Sequence, residues 1–291
     1  MERLLLYIFA AGILGWTGGC VEQRTRRAGP DIEGIKIGDL SPASSIKLGP
    51  QIRFQILTFE MPVANMPRPK DMFLGLLKSP LHFTDYKAFE ANGFCAGFGR
   101  SEMWDEIAAR LTQAGARNAG TSSLLVFDDK GDDIFFAALG TEQSVFYTTG
   151  EGKLVGVNLG AGRLGWQLKA RPIPSLRGAC EVKLKPVFKR LTGETISRLL
   201  GDKQDSEISF DVAGFELTMS SGDFVLLGPI QYEQNDISLG SLFFQTQADF
   251  AFPNPEQNEE GGTISDKRTY TLRKDVRLIR LFLVACTGVS D

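Results

Sequence analysis

The chain has 291 residues, 43% of them hydrophobic, and a formal net charge of −3. That is enough apolar material for one or two domains with a real core, and it lacks the basic excess that a nucleic-acid partner would leave. The 21 phenylalanines and 32 glycines suit many short strands joined by tight turns.

Residues 1–20 stand apart. Arg3 precedes an apolar run from Leu4 to Gly15, which is short for a membrane span, and Gly18-Gly19-Cys20 closes it. This reads as a secretory signal peptide. Its small-small-Cys ending resembles a bacterial lipoprotein lipobox, which implies lipidation of Cys20 and a membrane anchored through that lipid. Thr17 stands where such boxes carry an aliphatic residue, and cleavage at a neighbouring small residue is the alternative. Residues 21–50, polar and rich in Arg, Gly, Ser and Pro, read as a flexible tether. Residues 51–291 read as one β-rich domain.

Gln51 to Glu60 alternates at first, with Ile52, Phe54 and Ile56 opposite Arg53 and Gln55, as a strand with one wet face does. Three prolines between Met61 and Pro69 mark a loop. Asp71 to Lys78 places Phe73, Leu76 and Leu77 on one helical face. Thr84 or Asp85 caps a short helix carrying Tyr86 and Phe89. Ser101 caps a second one over 102–114, where Met103, Ile107 and Leu111 share a face and Gly115 ends the run. Strands follow at Ser123–Phe127, Ile134–Leu139, Ser144–Thr148 and Leu154–Leu159, then alternating runs around Trp166, around Val182 and from Ile208 to Val212. Thr195–Leu200 reads as a helical turn.

Phe215 to Phe244 is the organising stretch. It reads as strand, tight turn at Ser221-Gly222-Asp223, apolar strand, a break at Gly228-Pro229, and a further apolar strand containing Gly240. Gly222, Gly228, Pro229 and Gly240 are its structural hairpin positions. Asn254–Asp266 is acidic and polar. Val276 to Cys286 is apolar on both faces, which places it centrally in a sheet or against lipid.

No catalytic constellation emerges. Gly160-Ala-Gly-Arg-Leu-Gly165 matches a dinucleotide fingerprint, but an alternating run and then Pro172 and Pro174 follow where a helix is required, so a Gly-rich hairpin is the reading. Asp128 to Asp133 lacks the length and terminal Glu of a calcium loop and reads as a solvated turn. His82 is the only histidine, and no nucleophile signature accompanies it. Cys95, Cys180 and Cys286 fit no zinc spacing. Buried thiols are favoured over a disulfide, with the pairing left open. No metal and no cofactor is expected.

Several segments, in order, resemble the C-terminal β-domain of bacterial secretins, the outer-membrane gates of type II and type III secretion systems. They are Ile52-Arg-Phe-Gln-Ile-Leu-Thr-Phe-Glu60, the helix at 102–114 with Ser123-Leu-Leu-Val-Phe-Asp128, and Ile134 to Gly140 with Val145-Phe-Tyr147. Gly165 to Ile173 and Val182-Lys-Leu-Lys-Pro186 follow, then Ser221-Gly-Asp-Phe-Val-Leu-Leu-Gly-Pro-Ile230, Asp236-Ile-Ser-Leu-Gly-Ser-Leu-Phe243 and Leu278 to Val289. Pro229 stands where that family has Gly, and Ser238 where it has Pro. The resemblance implies an α+β fold, mainly antiparallel sheet with a few short packed helices. It further implies a non-enzymatic structural protein of the bacterial envelope, in the outer membrane or periplasm, that assembles with copies of itself or with secretion components into a ring or channel. The alternative is a monomeric, lipid-anchored periplasmic binding module.

Overall fold

A computed structural model of the chain describes residues 51–65, 68–127, 131–190, 207–232, 238–247, 252–253, 270–271 and 277–290. The expectations for the signal peptide, Cys20, the tether, Thr195–Leu200 and the acidic stretch Asn254–Asp266 lie outside them.

The described chain is mainly antiparallel sheet with a few short helices, as expected. One sheet is ordered β3 (Phe94–Gly99), β12 (Phe224–Pro229), β16 (Arg277–Ser290), β1 (Gln51–Pro62) and β4 (Arg117–Phe127), with β13 (Gln245–Gln247) also paired to β16. The other is ordered β2 (His82–Phe83), β11 (Phe215–Ser220), β9 (Ala179–Arg190), β8 (Gly162–Pro172) and β5 (Asp132–Leu139), with β10 (Glu207–Ser209) also on β9. β6 (Gln143–Thr148) and β7 (Leu154–Leu159) form a separate hairpin, and β14 (Phe252–Pro253) pairs with β15 (Tyr270–Thr271). The strands therefore do not form one continuous sheet.

The two large sheets share one core. β1, β12 and β16 send Ile52, Phe54, Val225, Leu227, Phe282 and Val284 into it from one side. β8, β9 and β11 answer with Leu164, Trp166, Val182, Leu184, Phe215 and Leu217. Trp166 is packed edge-on to Phe94, Phe243 and Phe282, with centroids 5.4 to 5.9 Å apart, an arrangement that suits the ring quadrupoles. The other face of the first sheet is covered as well. Leu57, Phe59, Leu226, Leu281 and Leu283 lie under the helix α2 (Trp104–Gln113), which contributes Trp104, Ile107 and Leu111. The outward face of the second sheet carries cross-strand ion pairs, among them Lys183–Glu216 at 2.8 Å and Arg171–Glu181 at 2.6 Å.

This layering explains two strands. β16 is apolar on both faces because it runs in the middle of a sheet covered on both sides. β1 was expected to keep a wet face, but Arg53 and Gln55 are only half-exposed and Leu57, Phe59 and Met61 complete that face beneath α2.

The helical signals divide. Asp85 caps the helix α1 (Tyr86–Ala91), its Oδ1 accepting the Ala88 N–H at 2.9 Å. α2 ends as expected at Gly115, whose φ is 67°. The Ala116 N–H reaches the Leu111 carbonyl and the Gly115 N–H that of Thr112, both at 2.9 Å, the paired bonds of a Schellman motif. Ser101 does not cap α2: it begins a 3₁₀ turn, Ser101–Met103, that leads into it. The helix expected over 71–78 is a 3₁₀ turn at Pro69–Phe73. Gly75, at φ 85°, turns the chain away, and Leu77 bridges to Phe98. Ile208 starts a strand, but Val212 sits in a 3₁₀ turn at Asp211–Ala213.

The organising stretch needs the largest correction. Its turn is present: the Asp223 N–H bonds the Ser220 carbonyl at 3.0 Å and Gly222 has φ 92°. However, β11 and β12 are not a hairpin. β11 pairs with β9 and β2, β12 with β16 and β3, so the turn carries the chain from one sheet to the other. The turn is itself tied to β16, with the Gly222 N–H on the Cys286 carbonyl at 2.8 Å. Gly228-Pro229 ends pairing on one side only: the ladder to β16 stops at Leu227, while that to β3 continues through Gly228 and Pro229. A proline, lacking an N–H, is tolerated at such a strand end.

The expected third strand is the helix α3 (Leu239–Phe244). Ser238 caps it, its Oγ accepting the Ser241 N–H at 3.1 Å. Six residues buried nearly all round leave no amphipathic period to distinguish helix from strand. Gly240 is required there: a Cβ would lie 2.6 Å from the Asn92 carbonyl oxygen and 3.0 Å from the Gly93 Cα. Backbone cannot swing aside as a side chain can, so Gly240→Ala is expected to lose about 1–3 kcal/mol in urea unfolding. A loss under about 0.5 kcal/mol would show that α3 shifts freely.

Candidate functional site

Three features have the geometry for recognition. The first is a row of charge across one sheet. Glu60 on β1 faces Arg280 on β16 and Arg117 on β4 in register. Alternation from Ile52, Phe54 and Ile56 carries Glu60 to the face between the sheets, just beyond the apolar core. Arg280 donates from Nε at 3.3 Å and from a terminal nitrogen at 2.9 Å to Glu60 Oε1. Arg117 lies 3.8 Å from Oε2. Glu60 and Arg280 are both more than nine-tenths buried, and Arg280 also lies over the Phe136 ring at 5.4 Å. Burial lowers the Arg117 pKa, and the Glu60 carboxylate opposes the shift.

The second feature is a cleft of about 510 Å³ beside that row. Arg277 and Arg280 give it positive charge, Gln143 and Ser241 add polar atoms, and Leu139 and Leu164 supply apolar wall. The Arg277 guanidinium also donates to the Tyr232 hydroxyl at 2.7 Å.

The third is the edge of β4. It pairs with β1 on one side and, among the described residues, ends its sheet on the other. From Asn118 to Phe127 it reads NAGTSSLLVF, ten residues without a charge or a proline. Residues 119–123 are exposed, and Leu125 and Phe127 remain 42% and 39% exposed. Proteins that must stay apart usually blunt such an edge with lysine, proline or a bulge. Here there is one irregularity, where the register with β1 shifts between Thr58 and Phe59. The opposite edge, β3, is partly occupied by the Leu77–Phe98 bridge.

These features are the setting for the comparisons with known proteins. No protein-family model and no curated protein matches the chain. Among solved structures it is similar to the Salmonella SPI-1 type III secretion injectisome secretin InvG. The identity is 12%, the TM-score 0.23, and the match covers 83% of this chain and 65% of that one. An atomic model of the basal body proteins InvG, PrgH and PrgK gives 12% and 0.23, covering 83% and 46%. The InvG secretin domain β-barrel gives 10% and 0.22, covering 83% and 63%. The likeness to the secretin β-domain is weak. It assigns no family, and the chain spans less than two thirds of each of these proteins.

The residues singled out from sequence are not brought together. Gly222 is in the turn between sheets, Gly228 and Pro229 end β12, and Gly240 is buried in α3. A Cβ on Gly228 would meet Leu281 Cδ2 at 2.2 Å, so this glycine marks close packing. Gly162 and Gly165 of the dinucleotide-like motif lie in β8, with strand where that motif needs a helix. His82 is exposed on β2 opposite Glu216. Asp132 and Asp133 begin β5, and Asp133 pairs with Lys189 at 3.1 Å. Sequence reading missed the Glu60–Arg280 pair. Its signal was visible: each is a charge flanked by apolar residues in a strand, and such charges are seldom buried without a partner.

Proposed function

We propose that the protein is a structural component of the bacterial envelope that associates with copies of itself through the β4 edge, in the manner of a secretin-like domain. The observation that carries this reading is the long, uncharged edge from Asn118 to Phe127, which no strand among the described residues pairs. Each added strand would satisfy the row of backbone N–H and C=O groups now facing water and cover Leu125 and Phe127. The β6–β7 hairpin, whose Val145 and Leu159 are buried while Phe146, Leu154 and Val155 are exposed, offers a second apolar surface for the same contact. Pairing β4 with that surface on the next copy is heterologous and propagates to a ring, whereas β4 on β4 closes as a pair. The ordered sequence resemblance favours the ring. Residues 1–20 would direct export and Cys20 would carry the lipid that holds the protein at the membrane, with residues 21–50 as the tether and residues 51–291 as the assembling domain. No residue is assigned a catalytic role.

The cleft beside Arg277 and Arg280 supports a second reading, a monomeric anchored module that binds an anionic ligand. Particle size separates the two. Electron microscopy and light scattering of the full chain in detergent should show large rings; a uniform 31.9 kDa species would reject assembly and leave the binding module.

A further inference from the structure

The two fully buried cysteines lie on different sheets. Cys180 is in β9 and Cys286 in β16, and both are 0% exposed. Their side chains nevertheless enter the same core cluster, where each thiol is the first influence on the other's ionisation. The turn between β11 and β12 brings them together. Cys180 is opposite Met219 in the sheet register, and its Sγ also contacts the Met219 carbonyl at 3.5 Å. The Cys286 N–H donates to the Asp223 carbonyl at 2.9 Å and its carbonyl accepts from Gly222. Each cysteine is thus clamped to one end of the same four-residue turn.

We propose that Cys180 and Cys286 are a redox site at which a disulfide joins the two sheets across the core. The oxidant is a disulfide compound, small-molecule or protein. One of the two cysteines, as its thiolate, attacks one of the oxidant's sulfurs and expels the other as a thiolate, leaving a mixed disulfide. The second cysteine then loses its proton, attacks the bonded cysteine's sulfur and expels the second half. Two protein thiols become one disulfide, and the oxidant takes up two electrons and two protons as two thiols. Because both sulfurs are buried, the reaction belongs to folding, before the sheets close. Cys95 stands apart on β3, and burial pushes its thiol up to about 11.

The link would close a loop of roughly 100 residues, long enough to restrict the unfolded chain strongly. That an oxidising compartment supplies the oxidant rests on the exported reading above. The chemistry is tested without it. The full chain is denatured, refolded in mixed reduced and oxidised glutathione, quenched by alkylation and digested without reductant. Mass spectrometry should find one cross-linked peptide pair holding Cys180 and Cys286, lighter by two hydrogens than the separate peptides, with Cys95 alkylated. The oxidised protein should melt about 5–10 °C above the same protein held in reductant. Cys180→Ser/Cys286→Ser should fold and lose that difference. Free Cys180 and Cys286 after refolding, a link through Cys95, or no difference in melting would overturn the proposal. A link formed in the tube but absent from protein isolated from cells would count against export and leave the site intact.

Discussion

Replacing Glu60 by alanine is expected to destabilise the protein by about 3–5 kcal/mol. The carboxylate lies between Arg280 and Arg117, and the Arg280 side chain is only 9% exposed. Removing Glu60 leaves the buried Arg280 guanidinium charged over the Phe136 ring with its two bonds to Oε1 gone. The loss is larger than the worth of the pair, because most of it is the cost of an unpaired buried charge. Glu60→Leu/Arg280→Met should therefore recover most of what Glu60→Ala loses, and a double-mutant cycle by urea denaturation reads the coupling. Should the single variant unfold within about 1 kcal/mol of wild type, the row is solvated and does not organise this end of the sheet.

Lysine at two exposed positions of β4, Thr121→Lys with Ser123→Lys, is expected to abolish self-association while leaving the fold intact. Both residues are exposed; Thr121→Lys gives up the bond that the Thr121 hydroxyl accepts from Asn118 Nδ2 at 2.9 Å, and the backbone pairing with β1 is kept. On an edge that must be covered by another chain, each lysine has to lose water or meet a like charge from the next copy. Each such encounter costs several kcal/mol, so the apparent association constant should fall at least roughly 100-fold. Size-exclusion chromatography with light scattering reads the result, and unchanged thermal unfolding of the dissociated species confirms the fold. Assemblies of wild-type size in the double-lysine variant would mean that β4 is not the contact.

Much of the architecture can be read from local pattern. Leu154–Leu159 has the bounds expected of it, and the strands around it differ mainly by longer ends. Trp166 and Val182 alternate because one face of β8 and β9 is core and the other carries lysines and glutamates. The apolar faces of the last strand gave away its central place. The candidate site was far less legible. A bare strand edge is defined by what does not pair with it, and the charge row joins Glu60 to Arg280 across 220 positions of chain.

By itself the sequence determined periodicity, turns and helix ends: the alternation of the strands, the Ser221-Gly222-Asp223 turn, a cap at Thr84 or Asp85 and the stop at Gly115. These are decided within a few residues, where backbone sterics and short hydrogen bonds dominate. Only the tertiary structure decided that β11 and β12 belong to opposite sheets, that Leu239–Phe244 coils and that Cys180 and Cys286 share one core. Any apolar strand satisfies its local preferences in either sheet. What selects the sheet is the burial of both faces of β16 and the filling of one shared core, and those depend on segments far apart in the chain.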